Sequence, residues 1–444
     1  MNRQAATPKG FLRRLQDLQL GDVRDSRQAA KVQHPLPALL GALVLAFVTR
    51  SRSLRSVEQR TAQLRPDARA ELGLDRRIAD NTFCAVLPAV SLDGLMAGLH
   101  RLVLAEHRRR NLQPTRQSLG TVAIDGKNVA TLHWPDLCRL VDLDPDAATA
   151  AQVRERFVPR FLDAQFCEPQ AGQPYALVRV HTATLISAAA AVCLHQRPIL
   201  GATNEIGSLP GMLRELHAAY AHSRLFRVIT TDAGNTSRGT ADLTVQLDLD
   251  YFSQLKSEHG DLYAEAVNRL AARPRSRACK TASDAQHGNV VTYRLWRYDL
   301  TDAGWLDWTH ARQLLRVERV VERPNGTQVS VGNRYYVTSL ATDQLGPNHA
   351  LDLSRGHWRC EEETHWTADA ELLEDRRRLA WSRHPQGVLV VSALRMMALC
   401  ILAVARQLSR LGATQATPSW DTVREHFLLV LCGSNLETSA FDHV

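Results

Sequence analysis

The sequence predicts an α/β fold, a mixed sheet flanked by helices and preceded by an all-helical segment, on three observations. Residues 1–118 carry apolar residues at helical spacing. From Leu119 onward, short β-branched runs alternate with helical stretches. Two of those runs, TVAIDGK at 121–127 and RVITTDAG at 227–234, share one grammar, an apolar strand that stops on an aspartate with a glycine close behind.

The elements follow in order. Phe11, Leu12, Leu15 and Leu18 mark a first helix, Gly21 and Asp22 interrupt it, and 35–48 resumes as a buried helix. The DNTF run at 80–83 offers an N-cap to another helix, and 92–106 reads as an amphipathic helix ending in the basic HRRR run. Such a domain would serve packing, DNA contact or protein contact. After the strand at 121–127, the polar and acidic stretch 136–173 reads as an insertion with one helix near 150–161. Strands are expected at 176–190 and 198–203, a helix at 209–220, a strand at 225–231, a helix at 237–247 and a short strand at 251–256. This order suits a sheet in which the first and fourth strands lie side by side, which would make Asp125 and Asp232 neighbours. Alternating segments at 290–298, 313–321 and 334–340 predict a β-rich insertion. An apolar helix at 385–411 closes the core, and 417–431 forms a last helix ending at Gly433. The expected division is a helical domain over 1–118, a catalytic domain over 119–412 with insertions at about 130–173 and 270–345, and a C-terminal helix and tail over 413–444.

With 444 residues, 45% hydrophobic, the chain can bury at least one large core. A formal charge of +8 favours a polyanionic partner. The basic residues cluster at 107–110, 273–280 and 376–378. The eight cysteines form no CxxC pair, which argues against a structural zinc or a redox motif and fits reduced thiols. The start MNRQAATPKG has no signal-peptide pattern, 36–48 is too short to span a bilayer, and 388–404 carries Arg395 near its centre. Both apolar runs are therefore expected to be core helices, and the location cytoplasmic, with no membrane partner.

The chemistry points to the segment SRGHWRCEEETHWTADAELLED at 354–375. His357, Glu361, His365 and Asp369 recur every fourth residue and would form one polar stripe on a helix. Residues at strand ends in α/β sheets reach into a crevice, so the constellation is Asp125, Asp232 and one helical acid, Glu361 foremost. Crowded carboxylates repel by roughly 4 kcal/mol per pair at about 4 Å and an effective dielectric near 20. Shared protons or divalent cations must offset this, and a basic chain favours cations acting on phosphodiesters over hydrolysis of a neutral sugar.

In these residues the chain resembles bacterial DDE transposases of the ISAs type, the group with the H-repeat-associated proteins. The matching pieces run colinearly: GDVRD at 21–25, HPL at His34, NTF at Asn81, AIDGK at Ala123, NEI at Asn204, TTDAG at Thr230, YFSQLK at Tyr251, RYYVTSL at Arg334, RGHW at Arg355, and His365-Trp366 followed by Glu374-Asp375. The resemblance implies an RNase H-like catalytic core and Asp125, Asp232 and Glu361 as ligands of Mg²⁺ or Mn²⁺, two ions. It implies cutting at the terminal inverted repeats of an insertion sequence, strand transfer of the 3′-hydroxyl into target DNA, and a homodimer on double-stranded DNA at the bacterial nucleoid. Ser354, His357 and Ala368 stand where related families carry Tyr, Arg and Lys. His357 is expected to touch a phosphate or orient Glu361, Lys127 to reach a phosphate or snorkel from the sheet edge, and Lys256 to contact DNA or pair with Asp375. His365 is expected to support the site or stack on Trp366, and Arg378 matches a family arginine. Asn204 and Glu205 either cap the helix that follows or act in the site. A metal-dependent nuclease without strand transfer, and a decayed or repurposed DNA-binding derivative, are the alternatives.

Overall fold

The computed structural model describes residues 8–28, 30, 32–300, 306–308, 310–374, 384–409 and 417–432. The chain opens with α1 (Pro8–Asp17), α2 (Leu36–Val48), α3 (Leu54–Gln63), α4 (Pro66–Glu71), α5 (Asp80–Val86) and α6 (Leu92–Arg108). Ser53 and Ser91 cap α3 and α6 through their side chains. Asp80 is the first residue of α5 and not its cap, because Ala79 holds that position. Apolar on nearly every side, α2 is buried along almost its whole length, as such a composition requires.

There follow β1 (Thr121–His133), α7 (Trp134–Leu140), α8 (Ala150–Phe157), β2 (Gln165–Cys167), β3 (Tyr175–Leu185), β4 (Val192–Ile199), α9 (Glu205–Tyr220), β5 (Val228–Thr231), α10 (Arg238–Gln246), β6 (Asp250–Leu255) and α11 (Gly260–Leu270). Then come β7 (Lys280–Gln286), β8 (Asn289–Asp299), β9 (Gln313–Glu322), β10 (Gln328–Thr338), α12 (Pro347–Gly356), a π-helical turn (Cys360–His365), α13 (Trp366–Ala370), α14 (Pro385–Leu408) and α15 (Trp420–Cys432). Among the described residues, ten strands make one mixed sheet in the order β2-β3-β1-β5-β6-β10-β9-β8-β7, with β4 also along β3. The central β1, β5 and β6 are parallel, and β1 and β5 are neighbours.

Three expectations change. The β-rich stretch is no separate insertion: β10 pairs with β6, Val337 opposite Ser253, so β7–β10 extend the central sheet. Its edge strand β7, KTASDAQ, escaped notice because it lacks an apolar alternation. The polar insertion starts later, since β1 runs on to His133, and it holds two helices instead of one, packed through Trp134, Leu137 and Phe157. The strand expected to run to 190 stops at Leu185, where Ser187 turns to hydrogen-bond Arg116 and Thr121.

One continuous core joins the N-terminal helices to the sheet. Phe11, Leu43 and Leu99 belong to the same buried cluster as Val122, Ile124, Leu185 and Leu213, and as Met397 and Leu402 of α14. The helices of the first hundred residues therefore share the sheet's core instead of enclosing their own. By length and composition α14 could cross a membrane, yet its most apolar window is 94% buried inside the protein. Its Arg395 lies 3.5 Å from the carboxylate of Glu374.

Candidate active site

Parallel pairing of β1 and β5 sets Ile124 opposite Thr231, and the pairing ends there. Asp125 and Asp232 are the next residues: Asp232 follows the end of β5, and Asp125, still within β1 and paired with Thr182 of β3, stands where its parallel neighbour has ended. Beyond this point β1 continues with β3 alone. A crevice consequently opens between the two aspartates. Asp232 is fixed by its own turn: its Oδ1 accepts the Asn235 N–H at 2.9 Å, and Thr236 Oγ1 donates to its carbonyl at 2.7 Å.

The third acid arrives on a distorted helix. Between α12 and α13 the backbone widens into the π turn, a form often met at functional sites. Cys360 packs on Ala123 and Ile186, and Arg359 donates to the carbonyls of Ile186 and Ala188. This anchors the turn over β1 and β3 and brings Glu361 within electrostatic reach of both aspartates. Burial, then the charges of Glu361, Asp232 and Glu205, push the Asp125 carboxyl up to about 7. Burial, then Asp232 and Glu362, raises Glu361, against the opposing pull of Arg334.

Three of the four stripe residues meet the sheet, although not on one regular helix: His357, His365 and Asp369 touch Thr230, Thr182 and Lys127, while Glu361 is exposed. His357 is buried, its Nδ1 3.3 Å from Thr230 Oγ1, and its Nε2 has no hydrogen-bond partner. Burial pushes it down to about 4, against the opposing effect of Asp232. His365 Nε2 lies 2.6 Å from Thr182 Oγ1 and its Nδ1 3.5 Å from Asp125 Oδ2. It too is held near 4, by burial and then Lys127. With the imidazole uncharged, its contact with Asp125 is a positioning contact and no ion pair.

Lys127 departs furthest from expectation. Its side chain is 9% exposed and turns inward, where Nζ donates to Glu374 at 2.8 Å and to Asp369 at 2.5 Å. It is an internal tie, held away from any DNA phosphate. Lys256 is exposed at the end of β6, on the same edge of the sheet as Asp232. Its suggested partner Asp375 lies outside the described residues, as do Arg376, Arg377 and Arg378. Of the other basic clusters, Arg109 is committed to Asp17 and Glu106, and Arg275 to Glu318, so neither run is a free cationic face throughout.

Glu205 is the carboxylate that the sequence left ambiguous. Asn204 caps α9, accepting the Gly207 N–H at 2.9 Å, and Glu205 as the first helical residue turns its carboxylate onto Gly126. A Cβ at position 126 would stand 2.4 Å from Glu205 Cδ, so any side chain there would displace the Glu205 carboxylate. Asn235 Nδ2 lies 3.4 Å from Glu205 Oε2, and its buried Oδ1 has no hydrogen-bond partner.

In divalent-free buffer the Asp125 proton makes stability depend on pH. The folded value, about 7, stands above the ordinary 3.8. The stabilisation is complete below about 3.8 and is lost as pH rises through about 7, at roughly 1.4 kcal/mol per unit. Asp125→Asn is expected to flatten this decline and to raise the melting temperature at pH 8. A variant whose melting temperature falls between pH 5 and pH 8 as far as the parent's would show that Asp125 is not the group responsible.

No family model matches the chain, and no curated protein matches its sequence. Among solved structures it is similar to a piggyBac transposase synaptic complex with hairpin DNA, at 9% identity and a TM-score of 0.41, over 98% of this chain and 82% of that one. A likeness at that level leaves the fold family open.

Proposed function

We propose that the chain is a metal-dependent DNA transposase with an RNase H-like core, in which Asp125, Asp232 and Glu361 are the reacting carboxylates. The observation that carries this reading is the β1–β5 pairing, which makes neighbours of two aspartates far apart in sequence, to which Glu361 of the π turn is electrostatically coupled. The donors are oxygens, as Mg²⁺ and Mn²⁺ prefer. The buried, unpartnered Oδ1 of Asn235, on a side chain that also meets Glu205, is an acceptor that a hydrated cation would satisfy. Among the described residues no group of three His, Cys, Asp or Glu side chains is gathered closely enough to hold a metal ion, so the reading rests on the electrostatic coupling of the three acids.

When bound, two divalent cations supply an activated attacking oxygen and charge stabilisation for the leaving oxygen. Asp125, Asp232 and Glu361 are the residues that would hold them. His365 and Thr182 hold Asp125 in place, and the Asn235 N–H holds Asp232. Water would cut one strand at the element's end, and the freed 3′-hydroxyl would attack target DNA by the same in-line displacement. Pairing two ends calls for a homodimer on DNA.

The deciding experiment supplies pre-cut ends of the flanking repeats, target DNA and Mg²⁺ or Mn²⁺. Joined products are expected. Cleavage of intact ends without joining would identify a nuclease, and end binding with neither reaction would identify a DNA-binding derivative.

A further inference from the structure

The turn that carries Glu361 is flanked by two crevices outside the carboxylate cluster. The larger, of about 910 Å³, lies between one face of β8–β10 and the end of α12. The smaller, of about 350 Å³, lies between the turn and the end of α14, and both are lined by Arg116, Glu362 and Glu363. They thus meet beside the candidate site. The floor of the larger crevice is set by strand register: Arg319 stands between Gly332 on β10 and Tyr293 on β8, and nothing lies within 4 Å of where a Gly332 Cβ would be.

The same chemistry recurs along both. The Arg355 guanidinium lies 4.6 Å from the centre of the Tyr293 ring, Arg334 4.5 Å from Trp358, and Arg406 4.5 Å from Trp420. Trp366, on the turn's far side, is 57% exposed, a large apolar plane left in solvent next to a reaction site. Arg116, Arg319 and Arg334 are exposed and, among the described residues, have no carboxylate partner, whereas Arg355 and Arg359 are paired with Asp284 and Glu363. Arg334 lies on an aromatic plane without an ion-pair partner among the described residues, and Arg116 and Arg319 add cations along the same crevice, an arrangement that suits phosphates beside flat bases.

We propose that the two crevices form one track for a single strand of nucleic acid passing Glu361, with bases stacking on the guanidinium–aromatic pairs and Trp366, and phosphates on Arg116, Arg319 and Arg334. The ligand rests on the phosphodiester chemistry proposed above. A space of this size holds a ligand of a few nucleotides, and stacking on side chains needs unpaired bases. An acidic peptide could use the cations but would leave the aromatic planes idle.

The test measures fluorescence anisotropy of a labelled 12-nucleotide single strand, and of its duplex, with the full chain in EDTA. Trp366→Ala and Arg319→Ala alter exposed residues, and circular dichroism checks that each remains folded. Trp366→Ala is expected to weaken single-strand binding on the order of tenfold, the loss of one stacked base, with duplex binding within about twofold. Arg319→Ala should reduce the slope of log K against log salt by about 0.7, one phosphate. Parent-like single-strand affinity in both variants, equal losses on duplex, or equal displacement of the oligonucleotide by a glutamate peptide of the same charge would each overturn the track. A comparison with Asp232→Ala separates the two proposals. If the track variants lose the single strand but parent and Asp232→Ala are equally inert in Mn²⁺, the track stands and the cleavage chemistry falls. If parent cuts, Asp232→Ala does not, and the track variants bind normally, the track alone falls.

Discussion

Asp232→Ala is expected to lower divalent-dependent strand cleavage on the order of 10³-fold while leaving duplex binding within about twofold. Asp125→Ala and Glu361→Ala should match it, because acids that bridge the same ions fail together. Removing Asp232 also strands the Asn235 N–H that its Oδ1 accepts, so Asp232→Asn is the cleaner companion. Single-turnover cleavage in Mn²⁺ reads all of these. Glu362→Ala is the internal control: it neighbours Glu361 on the π turn but lines the larger crevice. Should Glu362→Ala lose as much as Glu361→Ala, the third acid is misassigned, and cleavage at the parental rate by Asp232→Ala would remove the two-aspartate site altogether.

The second large effect concerns stability. Lys127→Met is expected to destabilise the fold by about 3–5 kcal/mol, because it leaves Glu374, whose side chain is 1% exposed, short of its closest cation. Burial opposes charge on both partners. Around Lys127 the carboxylates of Glu374 and Asp369 outweigh that cost, and the ammonium is held above the ordinary lysine value. Around Glu374, Lys127 and Arg395 do the same and hold the carboxyl below its usual range. Urea denaturation should show the lowered midpoint. Combining Lys127→Met with Glu374→Gln should recover part of the loss, since it removes the buried carboxylate left short of its cation but also takes that carboxylate from Arg395. A double variant no more stable than Lys127→Met would place the defect in side-chain packing.

The aspartate pair was legible in the sequence because its signal is local. A β-branched run before an Asp marks the strand; at Asp232 the strand ends there, whereas β1 runs on past Asp125 to His133, and the pairing of β1 with β5 makes the two neighbours all the same. Where partners come from afar, the chain gave no such sign. Lys127 reads as a solvent-facing lysine after Asp-Gly, and only the fold supplies Asp369 and Glu374 from the other end of the chain. Glu205 hid behind a capping asparagine whose local role fully accounts for the motif. The extension of the sheet through β6 and β10 was equally silent, because pairing between strands leaves no mark in either one. Helical spacing located the stripe at 357–369 correctly but could not show that one stretch of it is wound more widely.

That wider winding makes the third carboxylate a matter of counting residues. A π turn accommodates one residue more than the α-helix it interrupts, and a residue of α-helix corresponds to about 100° of rotation. Arg359 and Cys360 clamp the upstream side of the turn to β1 and β3, while His365 and Asp369 grip the sheet from the downstream side. Deleting one residue between those two holds would restore ordinary winding and swing a neighbouring position toward the aspartates. The chain places three glutamates in succession at 361–363, so the site has spare acids at the one point where its register is set by an inserted residue.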